Sequence, residues 1–344
     1  MGTKIARITE ISKAKPEEVF TSIYHMIDKE LLMECHKELD GKKATGLDGV
    51  TKGEYETKLE GNIEKLVNKL KTKSYKPQPA KRVYIPKANG DKRGLAIAAY
   101  EDKIVQLALK KIIEAIFEPK LSDDMYGFRP DRSCHKAVKK LVKTLERRKI
   151  NYVVDADIKG FFDNVNHEWL IKCLEEHIKD PNIIRLVIRF LKAGIMEEGK
   201  YIDTTTGTPQ GSILSPVLAN IYMHYVLALW FNVIIKKKFR GDSDITIYAD
   251  DYICCFQYRQ EAELFYEKLL PERLGKFGLS LAPDKTRLIE FGRFAKENSI
   301  NGKVETFDFL GFTFYCSESR NGKFRVKLKT SRKKYIKKIK DFKE

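Results

Sequence analysis

The sequence predicts an α+β fold. Apolar residues recur at helical spacing in several stretches, whereas two apolar runs flank the turn at residues 249–252, as in a β-hairpin. Strands and helices alternate without a G-x-G-x-x-G or G-K-[ST] motif, which argues against a dinucleotide-binding or P-loop fold. With 344 residues, 42% of them hydrophobic, the chain is long enough to bury a substantial core.

The predicted helices follow the apolar periodicity along the chain. They cover residues 16–34, 54–72, 101–117, 135–148, 167–178, 182–195, 215–236 and 260–276, and a basic helix runs from Ser331 to the end. The predicted strands are short apolar or β-branched runs bounded by turn residues. They cover residues 82–85, 152–154 and 287–291, and hairpins are predicted around residues 245–255 and 307–314.

The charge of the chain points to its partner. Lys and Arg exceed Asp and Glu by 65 to 48, a net charge of +17, which suits a polyanion whose counterions are released on binding. From charge alone, a merely lysine-rich soluble protein is the alternative.

The six cysteines form no C-x-x-C pair, which predicts free thiols in a reducing compartment and argues against a zinc site. No secretory signal or membrane span is predicted, because the most apolar run, residues 221–235, is short and contains His224 and Asn232.

Three aspartates lie at the ends of predicted strands. Asp157 follows the apolar run at residues 152–154, and Asp250 and Asp251 occupy the tip of a hairpin. Two carboxylates about 4 Å apart repel by about 1 kcal/mol in water and by about 4 kcal/mol at a dielectric constant of about 20. A pair of divalent cations removes this repulsion, and oxygen ligands fit Mg²⁺. If the strand and the hairpin are neighbours, the three acids predict a two-metal site for phosphoryl transfer; for an isolated Asp-Asp pair, a solvated turn is the alternative.

Short motifs along the chain carry a family resemblance. Tyr248-Ala249-Asp250-Asp251 resembles the Y-x-D-D box of reverse transcriptases. Further blocks occur in the family's order: TGLDGVT (45–51), KRVYIPKANGDKRGLAI (81–97), YGFRPDRSCHKAV (126–138), DADIKGFFDNVNH (155–167), GTPQGSILSPVLANIYMHYVL (207–227), KFGLSLAPDKTRLIEFGRFA (276–295) and FDFLGFTF (307–314). Together they resemble the sequence blocks of bacterial group II intron-encoded reverse transcriptase/maturases over about residues 40–330.

The resemblance implies a right-hand polymerase architecture. Residues 1–75 would form an N-terminal helical extension, and residues 76–316 the fingers and palm, with an antiparallel palm sheet packed on helices. Residues 317–344, with 12 Lys or Arg against 3 acids, would begin a helical thumb/maturase domain. Because the family's thumb continues further, a truncated or fragmentary intron protein is expected.

The resemblance also implies the roles of individual residues. Asp157, Asp250 and Asp251 would bind two Mg²⁺ ions, for which Mn²⁺ could substitute, with the carbonyl of Ile158 as an extra ligand. The predicted nucleotide-binding residues are Lys87, Arg93, Phe162, Gln210 and Gly211, and the predicted template or primer contacts are Arg129, Arg132, Lys285, Leu310 and Gly311. Lys87 and Arg93 flank a glycine-containing turn and could close over a triphosphate. A solvated basic loop, core packing of Phe162, a surface salt bridge of Lys285 and tight strand packing at Leu310-Gly311 are the alternatives at these positions.

The implied activity is RNA-directed DNA polymerisation. The enzyme would extend a primer with dNTPs on an RNA template, chiefly its parent intron RNA, and would bind that RNA to assist splicing and mobility. A cytoplasmic, nucleoid-associated location is expected, and the oligomeric state is left open. The chain departs from the family's usual Arg-Pro-Leu-Gly-Ile-Pro at residues 93–98 and from Gly-Gly at Gly211-Ser212, which bears on fidelity and template contacts. The alternatives are a domesticated defence or CRISPR-associated reverse transcriptase, a non-catalytic RNA-binding splicing factor, and an RNA-templated RNA polymerase.

Overall fold

The computed structural model describes residues 3–86, 92–299 and 304–343. Its helices are α1 (Thr3–Ala14), α2 (Lys29–Glu38), α3 (Lys52–Glu56), α4 (Leu59–Lys71), α5 (Tyr100–Phe117), α6 (Cys134–Arg147), α7 (Phe161–Asn164), α8 (His167–Glu175), α9 (Pro181–Leu191), α10 (Ser215–Met223), α11 (Lys236–Lys238), α12 (Arg259–Leu264), α13 (Leu270–Gly275), α14 (Ala295–Asn298) and α15 (Arg332–Lys343). Its strands are β1 (Ala80–Pro86), β2 (Lys92–Ile97), β3 (Tyr152–Asp157), β4 (Ile195–Glu197), β5 (Lys200–Ile202), β6 (Ser243–Tyr248), β7 (Asp251–Phe256), β8 (Arg287–Glu290), β9 (Phe307–Phe309), β10 (Phe312–Glu318) and β11 (Phe324–Thr330).

The chain divides into two compact units. The first combines Met1–Leu121 with Phe162–Tyr222, and the second combines Ser122–Phe161 with Met223–Glu344. Because the units interleave along the chain, neither coincides with one of the three consecutive segments predicted from the sequence. The roles assigned to those segments remain predictions.

The first unit packs helices with a four-stranded sheet in the order β2-β1-β4-β5. Strands β1 and β2 are antiparallel, with Lys81 opposite Ile97, and β1 also pairs with β4 in parallel. Helix α5 is the central element, since most of its side chains from Ile104 to Phe117 are buried. This unit carries β2 and the glycine loop at residues 207–211, from which the nucleotide-binding residues were predicted.

The predicted helix at residues 16–34 is wrong for residues 16–28. Tertiary hydrogen bonds replace helical ones there: Phe20 N donates to His177 O over 2.8 Å, and Asp180 Oδ2 accepts from the backbone N of Ile23 (2.7 Å) and Tyr24 (2.8 Å). Helix α2 begins only after Asp28, whose side chain caps it by accepting from Leu31 N at 2.9 Å. The apolar spacing that suggested a helix is thus used for packing around Asp180.

The second unit is built on an antiparallel sheet in the order β6-β7-β3-β8. One face of this sheet packs on α6, which buries Ala137, Val138, Leu141 and Leu145 at helical spacing. The same core includes buried aromatic side chains of the second sheet, β11-β10-β9, where Phe307 stacks on Phe314 with ring centroids 4.8 Å apart. The hairpin predicted around residues 245–255 is confirmed as β6 and β7. Its turn is shorter than the predicted 249–252, because Asp251 and Tyr252 already pair with β6 as the first residues of β7.

Strand β11 was not predicted. It pairs with β10 from Phe312↔Thr330 to Glu318↔Phe324, so residues 324–330 belong to a sheet that also contains the predicted Leu310-Gly311 hairpin. The predicted thumb boundary between residues 316 and 317 falls inside β10, and the assignment of the following residues to a thumb stays a prediction.

One continuous helix, Ser215–Lys238, is long and apolar enough to cross a membrane by length and composition. It includes π-helical segments at His224–Ala228 and Phe231–Ile235. Its most apolar window is 67% buried in the structure, which identifies it as a core helix.

Candidate active site

The two predicted acidic positions meet at one end of the second unit's main sheet. Strands β3 and β7 are antiparallel neighbours, and their register places Asp157 directly opposite Asp251. Residues opposite each other in such a pair have Cβ atoms about 4.5–5.5 Å apart. The sequence predicted that these acids come together if the strand and the hairpin are neighbours, and in the structure they are neighbours.

Asp250 lies in the tight turn that joins β6 to β7. The last strand pair is Tyr248 with Asp251, so Ala249 and Asp250 alone form the turn. Ala249 is 6% exposed and has φ +57, a left-handed conformation that costs a residue with a Cβ about 1–2 kcal/mol. A buried, left-handed residue immediately before the two acids fixes the direction in which the turn leaves the sheet.

The acids line a concave site. Asp157 and Asp251 border a cavity of about 580 Å³ whose wall also includes Lys285 and Leu310. Further charged residues in its wall were not predicted: Asp155, Asp284, Asp308, Arg287 and Lys333. Asp155 could have been found, because it lies two residues before Asp157 and alternate strand residues share a face. No sequence signal marks Asp308, which comes from the second sheet.

Several carboxylates lie close together in the wall of the cavity, and their charges and burial affect one another's pKa. Asp251 is open to the cavity, yet desolvation by the surrounding protein, followed by the charges of Asp250 and Asp157, raises its pKa to about 6. Burial also raises the pKa of Asp155, which Arg287 partly offsets from 3.2 Å. Lys285 Nζ lies 2.7 Å from Asp157 Oδ2. The negative charge is thus only partly compensated by protein cations.

The donor set fits a hard divalent cation, since carboxylate oxygens are the ligands Mg²⁺ takes and Asp157 and Asp251 lie opposite each other on neighbouring strands. In this conformation, no three His, Cys, Asp or Glu side chains within the described ranges are arranged to hold a metal ion. Asp157 is instead engaged by Lys285. Ile158 follows directly, forms an isolated bridge with Leu281 and has a buried side chain; its carbonyl as a ligand stays a prediction.

Arg93, Phe162, Gln210 and Gly211, the predicted nucleotide-binding residues that the structure describes, lie in the first unit. Thr208 N donates to Phe162 O over 2.7 Å, and Ala96 N donates to Gln210 O over 2.6 Å, so the loop at residues 207–211 is held against both the Phe162 backbone and β2. Gly211 has φ +102, and a Cβ there would lie 3.0 Å from Ala96 O, so only glycine fits without strain. Arg93 is exposed on β2, while Lys87 lies outside the described residues.

The remaining predicted contacts are placed differently from one another. Leu310 (φ +52) and Gly311 (φ +81) form the turn between β9 and β10, with Leu310 in the wall of the acidic cavity. Arg129 is only 8% exposed, and its Nη1 donates to the carbonyls of Ser122 (2.6 Å) and Met125 (2.9 Å). Contact of these residues with template or primer stays a prediction.

Comparison with known proteins identifies the family. Residues 85–314 match the family described as reverse transcriptase (RNA-dependent DNA polymerase). The chain belongs to this reverse transcriptase family. This reverse transcriptase is similar to the group II intron-encoded protein LtrA of Lactococcus lactis subsp. cremoris. The two are 39% identical over 241 residues, which cover 70% of this chain and 40% of that protein. It is 30% identical over 315 residues to protein YkfC of Escherichia coli strain K12, covering 83% of this chain and 80% of that one.

A solved structure supports the fold. The reverse transcriptase chain is similar to apo telomerase from Candida tropicalis truncated from its C-terminal domain, with a TM-score of 0.50, 15% identity, and coverage of 77% of this chain and 59% of that chain. The predicted α+β polymerase fold and the predicted group II intron resemblance are confirmed. The chain spans 40% of the length of LtrA.

Proposed function

We propose that the chain is an RNA-directed DNA polymerase that extends a primer with dNTPs on an RNA template. The observation that carries the proposal is the register pair Asp157–Asp251, with Asp250 adjacent in the turn. Family membership supports the same reaction, and reverse transcriptases generally use divalent metal ions.

The proposed metal ligands are the three carboxylates and one backbone carbonyl. Asp157, Asp250 and Asp251 would hold two Mg²⁺ ions, or Mn²⁺ in their place, with the Ile158 carbonyl as a further ligand. When bound, such ions supply the Lewis-acid chemistry that makes a primer 3′-hydroxyl nucleophilic and stabilises the departing pyrophosphate. The carboxylates' part is to fix this charge in place, because positioning and electrostatic stabilisation account for most of the catalysis of phosphoryl transfer.

Recognition of the nucleotide is proposed for the first unit. Arg93, exposed on β2, and Lys87 would bind the triphosphate, the arginine by bidentate contacts and the lysine as a point charge. Gln210 and Gly211 would lie against the nucleotide and the template base. The half-buried ring of Phe162 would exclude a 2′-hydroxyl, so that dNTPs are preferred over rNTPs.

Nucleic acid is the proposed partner. The net charge of +17 supports tight, salt-dependent binding, and the name of the similar intron-encoded protein supports an intron RNA as template and as a splicing substrate. Leu310 and Gly311 would support the primer end, and Arg132 and Lys285 would act near the template or primer. A cytoplasmic location is supported by the bacterial relatives.

The test is nucleotide incorporation on poly(rA)/oligo(dT) with Mg²⁺, comparing dTTP with UTP. The proposal predicts Mg²⁺-dependent incorporation of dTTP and little of UTP. Preferred incorporation of UTP would identify an RNA polymerase instead. Tight binding of a group II intron RNA with no incorporation of either nucleotide would favour the non-catalytic splicing factor.

A further inference from the structure

The loop of residues 122–132 is attached to the outer edge of β6, the strand that leads into the Asp250-Asp251 turn. Ile247 N donates to Asp124 O and Tyr126 N donates to Ile247 O, both over 2.8 Å, which makes a parallel bridge between Met125 and Ile247. Strand β6 is at the edge of its sheet. The 122–132 loop therefore takes the place of a further strand at the position just before the turn.

Gly127 brings this loop against the turn itself. A Cβ built on Gly127 would lie 2.4 Å from Ala249 N and 3.0 Å from the carbonyl carbon of Tyr248. Since both are backbone atoms, a side chain at position 127 could be accommodated only by moving the loop or the turn. The residue so contacted, Ala249, is the buried residue with φ +57 that precedes Asp250.

The 122–132 loop is held by its own arginines. Arg129 donates to the carbonyls of Ser122 and Met125, and Arg132 Nη2 donates to Asp123 Oδ1 over 2.6 Å. The guanidinium of Arg132 also lies over the ring of Tyr126, 5.3 Å from its centroid. These contacts fix the loop conformation that presents Gly127 to Ala249.

An ion-pair network around the partly buried Lys140 connects the base of the loop to the same strand. Lys140 Nζ lies 3.1 Å from Asp124 Oδ1 and 2.7 Å from Asp244 Oδ2, and it donates to Ile245 O and to Thr246 Oγ1. Loop, helix α6 and strand β6 are therefore joined on the side of β6 that faces away from β7.

We propose that the 122–132 loop is a positioning element for the metal-binding turn, with Gly127 as its contact residue and Arg129 as the residue that holds its shape. By packing against Ala249, the loop keeps this residue in its left-handed conformation and so aims the carboxylates of Asp250 and Asp251. The inference rests on the proposed role of these acids as metal ligands. In this proposal Arg129 stabilises the 122–132 loop and does not contact a template.

The test is Gly127→Ala, with Gly275→Ala as its control. Gly275 ends α13 in the same unit and has no atom within 4 Å of an added Cβ. Two readouts need no catalysis: Mn²⁺ binding by electron paramagnetic resonance without nucleic acid, and hydrogen exchange of the amides at residues 248–251 in metal-free protein. We expect Gly127→Ala to weaken Mn²⁺ binding by about tenfold or more, as loss of an outer-shell partner does, and to speed exchange in the turn. Gly275→Ala should change neither.

A second variant keeps the test decisive if Gly127→Ala does not fold. Arg129→Lys retains the positive charge but loses the fork that binds two carbonyls. We expect faster exchange at residues 248–251 and several-fold weaker Mn²⁺ binding, with unchanged affinity for RNA. Wild-type exchange and Mn²⁺ affinity in a folded Gly127→Ala protein would overturn the inference, as would loss of RNA affinity alone in Arg129→Lys. If wild type binds Mn²⁺ but extends no primer, the proposed function fails while the positioning role is still decided by the exchange measurement.

Discussion

Lys285 donates a hydrogen bond from Nζ to Asp157 Oδ2 over 2.7 Å, and so occupies one of the three carboxylates assigned to metal binding. Lys285 is 69% exposed on its side chain, so the ion pair is screened by solvent. A metal ion held by Asp157, as proposed, would compete with this lysine for the carboxylate.

Removing the competing lysine should strengthen metal binding. Because an exposed ion pair is worth about 0.2–1 kcal/mol, Lys285→Gln should lower the dissociation constant for Mn²⁺ about two- to fivefold, measured without nucleic acid. Lys268→Gln, an exposed lysine of the same unit, removes the same charge and should have no effect. Weaker Mn²⁺ binding in Lys285→Gln would show that the lysine assists the metal and would refute the competition.

The partly buried Lys140, which pairs with the buried Asp244, should be important for stability. Burial alone would raise the pKa of Asp244. Lys140, Thr144 and Lys236 together outweigh burial and lower this pKa, with the largest share from Lys140. Asp244 is therefore a buried charge neutralised by nearby cations. Lys140→Met leaves that charge without its closest cation and should lower the free energy of unfolding by about 3–5 kcal/mol, measured by urea denaturation. Lys143→Met, on the exposed side of the same helix, should stay within about 0.5 kcal/mol of wild type. Similar losses in both variants would contradict this account.

Sugar selection should depend on Phe162. Its carbonyl is anchored by Thr208 N, so Phe162→Ala removes the ring while the backbone bond to the glycine loop remains. We expect the ratio of kcat/KM for UTP to that for dTTP to rise by at least about tenfold, because removal of the ring leaves room for the 2′-hydroxyl of UTP. Phe294→Ala, which removes a ring that is 49% exposed in the other unit, serves as the control. An unchanged ratio would assign Phe162 to packing alone.

Asp102 makes the stability of the first unit pH-dependent. It is 3% exposed, and burial raises its pKa from 3.8 to about 6 even though Tyr75 Oη and Gln78 N donate to it. Since the folded-state pKa is raised, the stabilisation is complete below about pH 4 and is lost as the pH rises through 6. Relative to Asp102→Asn, wild type should lose about 2 kcal/mol of unfolding free energy between pH 4 and pH 7. A difference between the two proteins that does not vary with pH would exclude a raised pKa.

The sequence predicted the parts of the site that follow from local patterns. Asp157 ends an apolar run and Asp250-Asp251 interrupt two others, and short apolar runs bounded by turn residues were enough to expect both. Their register, Asp157 against Asp251, required the tertiary pairing of β3 with β7.

What the sequence did not reveal depends on contacts between distant segments. The helix predicted at residues 16–34 is interrupted because Asp180, far along the chain, accepts from the amides of Ile23 and Tyr24. Gly127 carries no local turn signal. Position 127 must be glycine because a Cβ there would collide with the backbone of Ala249, which is distant in sequence. Asp308 reaches the acidic cavity from another sheet, a placement that no spacing encodes.

The most direct test of the central claim is Mg²⁺-dependent incorporation of dTTP on poly(rA)/oligo(dT), compared between wild type and Asp250→Asn, with RNA affinity measured on the same preparations. The account predicts incorporation by wild type that disappears on chelation of the metal. It predicts that Asp250→Asn loses this activity by a factor of about a thousand or more, since the substitution removes a metal ligand, while RNA affinity is retained. Equal incorporation by the two proteins would contradict the assignment of the turn acids to the reaction.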